Sequence, residues 1–251
     1  MTVDVMPGGE EFFSSSGPQG VLLLHGFTGT TSTMMDLARR CVAEGYSVAV
    51  PRLPGHGTSV EDMMGTRWED WSSAALAAYD ELHRSCESVA VVGLSMGGTL
   101  ASYVAENRSD VVALVLINPL VKHPGAELSE GVQALLDAEV FTFDSIGSDI
   151  KKEGVVETSY TATPLACVKS LFDALEGVND NLGRITAPSL LLTSTEDHVV
   201  TTDNGDELVK RSSGSVERIW LENSYHVATM DNDQELLEAA TLKFLAGRFS
   251  R

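Results

Sequence analysis

Positive charge is scarce in this sequence: 17 Lys and Arg stand against 36 Asp and Glu, a formal charge of −19 over 251 residues. The acidic excess is spread along the chain rather than gathered in a tail. A surface of that sign repels phosphate backbones and anionic lipid, which argues against nucleic acid or a charged membrane as partner. Cysteine is scarce too. Cys41, Cys86 and Cys167 are odd in number and lack Cys-x-x-Cys spacing, as expected of reduced thiols in or near a core rather than a disulfide framework. Long apolar runs are missing, the longest being Val111–Ile117, and residues 1–20 have no basic stretch followed by an apolar one. Neither a secretion signal nor stable membrane insertion is therefore expected, and the reading is a cytoplasmic protein. No His-x-x-x-His, His-Glu-x-x-His, Gly-x-Gly-x-x-Gly or P-loop spacing occurs, so no metal and no nucleotide cofactor is expected.

What remains is a chain of ordinary apolar content, 43% hydrophobic, long enough for one larger α/β domain with an ample core. Short apolar runs alternate with amphipathic stretches. Val21–Leu24, Ser47–Val50, Val89–Val92, Val111–Ile117, Pro188–Thr193 and Val216–Leu221 read as strands. Thr33–Glu44, Trp68–Arg84, Met96–Asn107 and Asp203–Arg211 read as helices. Asn232 with Glu235 reads as a capping box opening a final helix that turns Leu236, Leu237, Ala240 and Phe244 inward. Strands that are apolar throughout, separated by helices, imply a mostly parallel sheet covered on both faces. The rhythm breaks over residues 119–175, where no clean period holds until Thr163-Pro164 offers a cap and first-turn proline for a helix with Leu165, Val168, Leu171, Phe172 and Leu175 inward. An irregular stretch of that length is expected to be a lid or binding insertion within the single domain.

The informative motif is Gly93-Leu94-Ser95-Met96-Gly97. The pattern alone is common, but here an apolar strand precedes it and a helix follows, the setting of a serine held on a sharp turn. A serine hydroxyl attacks a carbonyl only when it stands clear of its backbone and a base takes its proton. The Met96 N–H at the helix start would supply half of an oxyanion hole. Two further polar residues, Asp197 and His226, sit just beyond later strands, at the same edge of a parallel sheet, where ligands bind in this architecture. Their order, serine then acid then histidine, assigns Ser95 as nucleophile, His226 as general base and then acid, and Asp197 as the carboxylate that orients the imidazole. Glu196 is the rival acid. Of the other histidines, His25 and His56 are expected to structure loops, His83 and His123 to be solvated, and His198 adjoins Asp197 too closely to serve as base.

With these residues assembled, the chain resembles the α/β-hydrolases, and within them the small bacterial carboxylesterases and monoacylglycerol lipases. The resemblance rests on His25-Gly26-Phe27-Thr28-Gly29, Pro54-Gly55-His56-Gly57, the Ser95 motif, Thr195-Glu196-Asp197-His198-Val199-Val200 and Ser224-Tyr225-His226-Val227, which together span most of the chain. It implies an α/β-hydrolase fold without cofactor, and the backbone N–H of Phe27 as second oxyanion donor beside that of Met96. It further implies a cap in the irregular stretch, with Ile146 and Glu157 matching cap residues that contact the glycerol end of a monoacylglycerol. A plain surface carboxylate is the alternative for Glu157. The implied activity is hydrolysis of a small-molecule carboxylic ester or monoacylglycerol through an acyl-enzyme. A thioesterase, a carbon–carbon hydrolase, a perhydrolase and a non-catalytic ligand-binding member of the fold are the alternatives.

Overall fold

The computed structural model describes residues 4–145 and 147–249. In chain order its elements are β1 (Phe12–Ser14), β2 (Gln19–Leu24), α1 (Met35–Ala43), β3 (Ser47–Val50), α2 (Val60–Met64), α3 (Trp68–Ser85), β4 (Ser88–Leu94), α4 (Met96–Asn107) and β5 (Val111–Ile117). There follow α5 (Ala126–Asp137), β6 (Thr142–Asp144), β7 (Ala162–Pro164), α6 (Leu165–Asn181), β8 (Ser189–Ser194), α7 (Asp203–Arg211), β9 (Val216–Leu221) and α8 (Gln234–Phe249).

Central strands buried along most of their length must be covered on both faces, and the alternation of side chains along each strand sorts them between two cores. Leu22, Leu24, Val91, Leu114, Leu116 and Leu191 point to one face, where Trp71, Tyr79, Leu100 and Leu171 of α3, α4 and α6 meet them. Val21, Leu23, Val92, Val115 and Leu192 point to the other, against Leu37 and Cys41 of α1 and Leu237 and Leu245 of α8. Seven strands run in the order β1-β3-β2-β4-β5-β8-β9, all pairs parallel except β1 with β3. The sheet edge that carries the ends of β4, β8 and β9 thus collects Ser95, Asp197 and His226. All three cysteines are buried and free. Among the described residues no helix is long and apolar enough to cross a membrane.

Several local expectations need correction. Residues 12–14, ahead of the first strand expected from sequence, form a short antiparallel edge strand in which Phe13 is exposed. Thr31–Met34 is a 3-10 turn before α1, and Gly45, at φ +88°, ends the segment. The stretch without clean period contains α5, which buries only Ser129 and Val132 and leaves Leu128 and Leu135 exposed. Thr163 lies in β7 paired with Phe143, so Pro164 rather than Thr163 is the cap of α6. The last helix starts at Gln234; Asn232 lies outside it and donates to the Asn223 carbonyl, and Leu236 is exposed.

Candidate active site

Ser95 links β4 to α4 at φ 57°, ψ −120°, a backbone conformation that side-chain-bearing residues adopt only where the surroundings impose it. The turn is clamped from both ends: the Ser95 N–H donates to the Ile117 carbonyl at 3.0 Å, and its own carbonyl accepts from Gly98 and Leu120. The flanking glycines are there for lack of space. A Cβ at Gly93 would lie 2.0 Å from the Gly97 carbonyl oxygen, and one at Gly97 would lie 2.1 Å from that of Leu24. Strand and helix therefore approach to backbone contact, which pushes the serine side chain outward.

Asp197 and His226 come from the loops after β8 and β9. The Asp197 carboxylate accepts the Val199 and Val200 N–H groups through one oxygen, each at 2.8 Å, and meets His226 Nδ1 with the other at 2.8 Å. When the imidazole is neutral, that partner holds the ring proton on Nδ1 and leaves Nε2 as the acceptor nitrogen. Glu196, the rival acid, is exposed and pairs with Lys151. Asn118, at the end of β5 with φ 43°, joins the two loops from behind. Its amide donates to Ser194 Oγ and the His226 carbonyl and accepts from the Ser194 N–H.

Phe27 and Met96 line the same cavity as Ser95, and among the described residues no backbone carbonyl takes either N–H. The Phe27 loop rests on two buried histidines. His25 Nε2 accepts the Leu53 N–H and its Nδ1 donates to the Gly26 carbonyl; His56 Nδ1 donates to the Pro54 carbonyl and its ring lies edge-on to Phe27 and Trp71. Both therefore structure loops. Burial pushes His25 down to about 4 and His56 down to about 3, so both are neutral near pH 7.

Ser95, Phe27, Met96 and His226 open into one cavity of about 420 Å³. Its far walls are apolar: Leu128 and Val132 of α5, Phe143 of β6, and Val168, Leu171 and Phe172 of α6. Near the histidine it is acidic, with Asp149 and Glu157. Burial raises the Glu157 carboxyl above its ordinary value, with the Asp149 charge acting in the same direction and His226 opposing them. Its carboxylate comes close to the Phe27 loop, one oxygen standing 3.5 Å from where a Cβ would sit on Gly29. Ile146 lies outside the described residues. Sequence reasoning missed Asn118 and Asp149; a buried polar residue directly after an apolar strand was the available signal for the first, and none marked the second. A larger surface cleft of about 690 Å³ between α3, α4 and α6 lies away from Ser95. Among the described residues, no group of three or more His, Cys, Asp or Glu side chains is placed to hold a metal ion.

Residues 21–239 match the model of the alpha/beta hydrolase family. The chain is 42% identical over 243 residues to the thermostable monoacylglycerol lipase of Bacillus sp. (strain H-257), covering 96% of both. It is 27% identical over 236 residues to a carboxylesterase of Bacillus subtilis (strain 168), covering 93% of this chain and 95% of that one. Among solved structures, one from work on LipS and LipT, two metagenome-derived lipolytic enzymes, superposes with a TM-score of 0.92. It is 36% identical and covers 97% of this chain and 100% of the other. The buried parallel sheet, the serine on its strained turn and the sequence relationships lead to one conclusion: this chain belongs to the alpha/beta hydrolase family, within its small bacterial carboxylesterase and monoacylglycerol lipase group.

Proposed function

We propose that the protein hydrolyses carboxylic esters, monoacylglycerols foremost, through an acyl-enzyme on Ser95. The observation that carries the reading is the opening of Ser95 and the Asp197-held His226 into one cavity with apolar far walls and a carboxylate beside the histidine. His226 Nε2 takes the proton as Ser95 Oγ attacks the ester carbonyl. The Phe27 and Met96 N–H groups receive the oxyanion, each such donor contributing about 3 kcal/mol in the transition state. The alcohol departs with the proton from His226, and water, deprotonated by the same imidazole, releases the acid. Asp197 keeps the tautomer and stabilises the imidazolium without taking a proton itself.

The insertion over residues 119–175 acts as a cap within the single domain. The acyl chain lies between α5 and α6 against Val132, Leu171 and Phe172, and Glu157 accepts hydrogen bonds from the glycerol hydroxyls. A carboxylate already disfavoured by burial gains from such donors, which favours a polyol leaving group over an alkyl one.

The test is turnover of p-nitrophenyl esters from short to long acyl chains beside monoacylglycerols and triacylglycerols, with Ser95→Ala as blank. Strong monoacylglycerol hydrolysis, little on triacylglycerol and none by Ser95→Ala is the expected result. Preference for short simple esters would contradict the monoacylglycerol assignment, and turnover by Ser95→Ala would contradict the mechanism.

A further inference from the structure

Residues 147–157, ahead of β7, are tied to the loops that carry Asp197 and His226 by two acidic side chains. Asp231, fully buried, accepts the N–H groups of Lys151 and Lys152 from that segment, at 2.7 and 2.9 Å, and of Tyr225 at 2.8 Å. Asp149 reaches in the opposite direction, from the segment into the loops. One of its oxygens accepts the His226 N–H at 3.0 Å and the His198 N–H at 3.2 Å; the other meets His198 Nδ1 at 2.8 Å. Its backbone carbonyl accepts from Val227 at 3.1 Å.

His198 directly follows Asp197. One carboxylate therefore grips the main chain beside the orienting acid and the main chain of the base at once, from a third segment. The grip is needed because Asp197 and His226 lie beyond Ser194 and Leu221, where the parallel ladder between β8 and β9 has ended. Beyond the ladder the two loops depend on contacts of this kind, with the Asn118 amide behind them, to keep a fixed hydrogen-bond angle. The side chain of Asp149 is only 12% exposed, so water competes weakly for these bonds.

We propose that Asp149 is a positioning residue for the hydrolytic reaction: it couples the seating of the cap segment to the alignment of His226 with Asp197. The inference rests on the reading of Ser95, Asp197 and His226 given above. Glu157 belongs to the same unit, since its N–H donates to Ser148 Oγ at 3.0 Å. Lifting this segment off the loops withdraws Glu157 from the cavity and slackens His226 together, so the aligned base and the closed cap occur in the same state.

The experiment measures kcat and KM on a soluble short-chain p-nitrophenyl ester for wild type, Asp149→Ala and Asp149→Asn. Labelling of Ser95 by a small fluorophosphonate and thermal melting are followed alongside. Asp149→Ala is expected to lower kcat by about 30- to 100-fold, the scale of a small misplacement of a reacting group. Its KM should stay within about threefold, and labelling should slow in parallel with kcat. Asp149→Asn, whose amide oxygen still accepts both N–H groups, should recover about tenfold or more of the loss. Where Asp149→Ala does not fold, Asp149→Ser is read by the same criteria. A kcat within about threefold of wild type, a rise in KM at constant kcat, or an Asp149→Asn as slow as Asp149→Ala would each overturn the proposal. Ser95→Ala separates the two levels: turnover by that variant overturns the serine reading and this inference with it. An inactive Ser95→Ala beside a fully active Asp149→Ala overturns the inference alone.

Discussion

His226 and Asp197 meet at 2.8 Å across two loops that leave adjacent parallel strands, with side chains only 8% and 2% exposed. The pair is dry enough for the carboxylate to dictate the imidazole tautomer. Asp197→Asn should leave the fold intact and lower kcat by about 10⁴-fold, the scale found where an amide imposes the wrong tautomer in a serine–histidine–aspartate site. Glu196→Gln, at an exposed position paired with Lys151, should change kcat by less than about twofold. Steady-state kinetics of the two variants side by side decide which acid orients the base.

The glycines of the serine turn and the glycine on α5 differ in what surrounds them. Gly97→Ala would drive a methyl to 2.1 Å from the Leu24 carbonyl oxygen. The expected outcome is a loss of at least about 3 kcal/mol in urea unfolding, since backbone on both sides must move. Gly131, exposed on α5 with nothing within 4 Å of where a methyl would sit, should behave oppositely, Gly131→Ala gaining about 0.5–1 kcal/mol.

Acid should act on the loop that presents the Phe27 N–H. His25 and His56 are held at about 4 and about 3 in the fold, against an ordinary value of 6.5. Below about pH 6.5 the unfolded chain thus binds more protons than the native one. Stability is present above that value and drains away as the pH falls toward about 4. Urea midpoints at about pH 7 and about pH 5 should show a clear decline for wild type and a smaller one for His56→Phe. Equal declines would show that His56 is not a source of the effect.

Chain-length selection should reside in the walls between α5 and α6. Val132 is nearly buried and lines the cavity. Val132→Trp should therefore cut kcat/KM for long acyl esters about tenfold or more while sparing acetyl and butyryl esters, a difference that an ester series reads directly.

Much of this is legible in the sequence because the dominant signals are local. β5, α4, α7 and β9 begin and end where apolar runs and their punctuation place them, and Ser95, Asp197 and His226 each follow such a run. Asn118, Asp149 and Asp231 are illegible for the opposite reason. Their roles consist of bonds to main-chain groups far along the chain, from Asn118 to Ser194 and His226, and from Asp149 to His198 and His226. For Asn118 the one local sign is its place directly after the apolar run of β5; around Asp149 no such sign exists. Helix α5 hides its period because part of its apolar surface faces a cavity and not a packed core, so Leu128 remains 53% exposed.

Strands β5 and β8 pair directly, Leu114 with Ser189 through Ile117 with Leu192, although some seventy residues of chain separate them. The chain thus leaves and re-enters the sheet at neighbouring positions, as an exchangeable cassette would. Transplanting the part ahead of the core-packed helix α6, residues 119–164, from a relative should leave the sheet register untouched and carry a new selectivity with it. Asp149 sets the condition on such a swap: the incoming cassette must supply its own carboxylate for the His198 and His226 amides, or the graft will bind its esters and turn them over slowly.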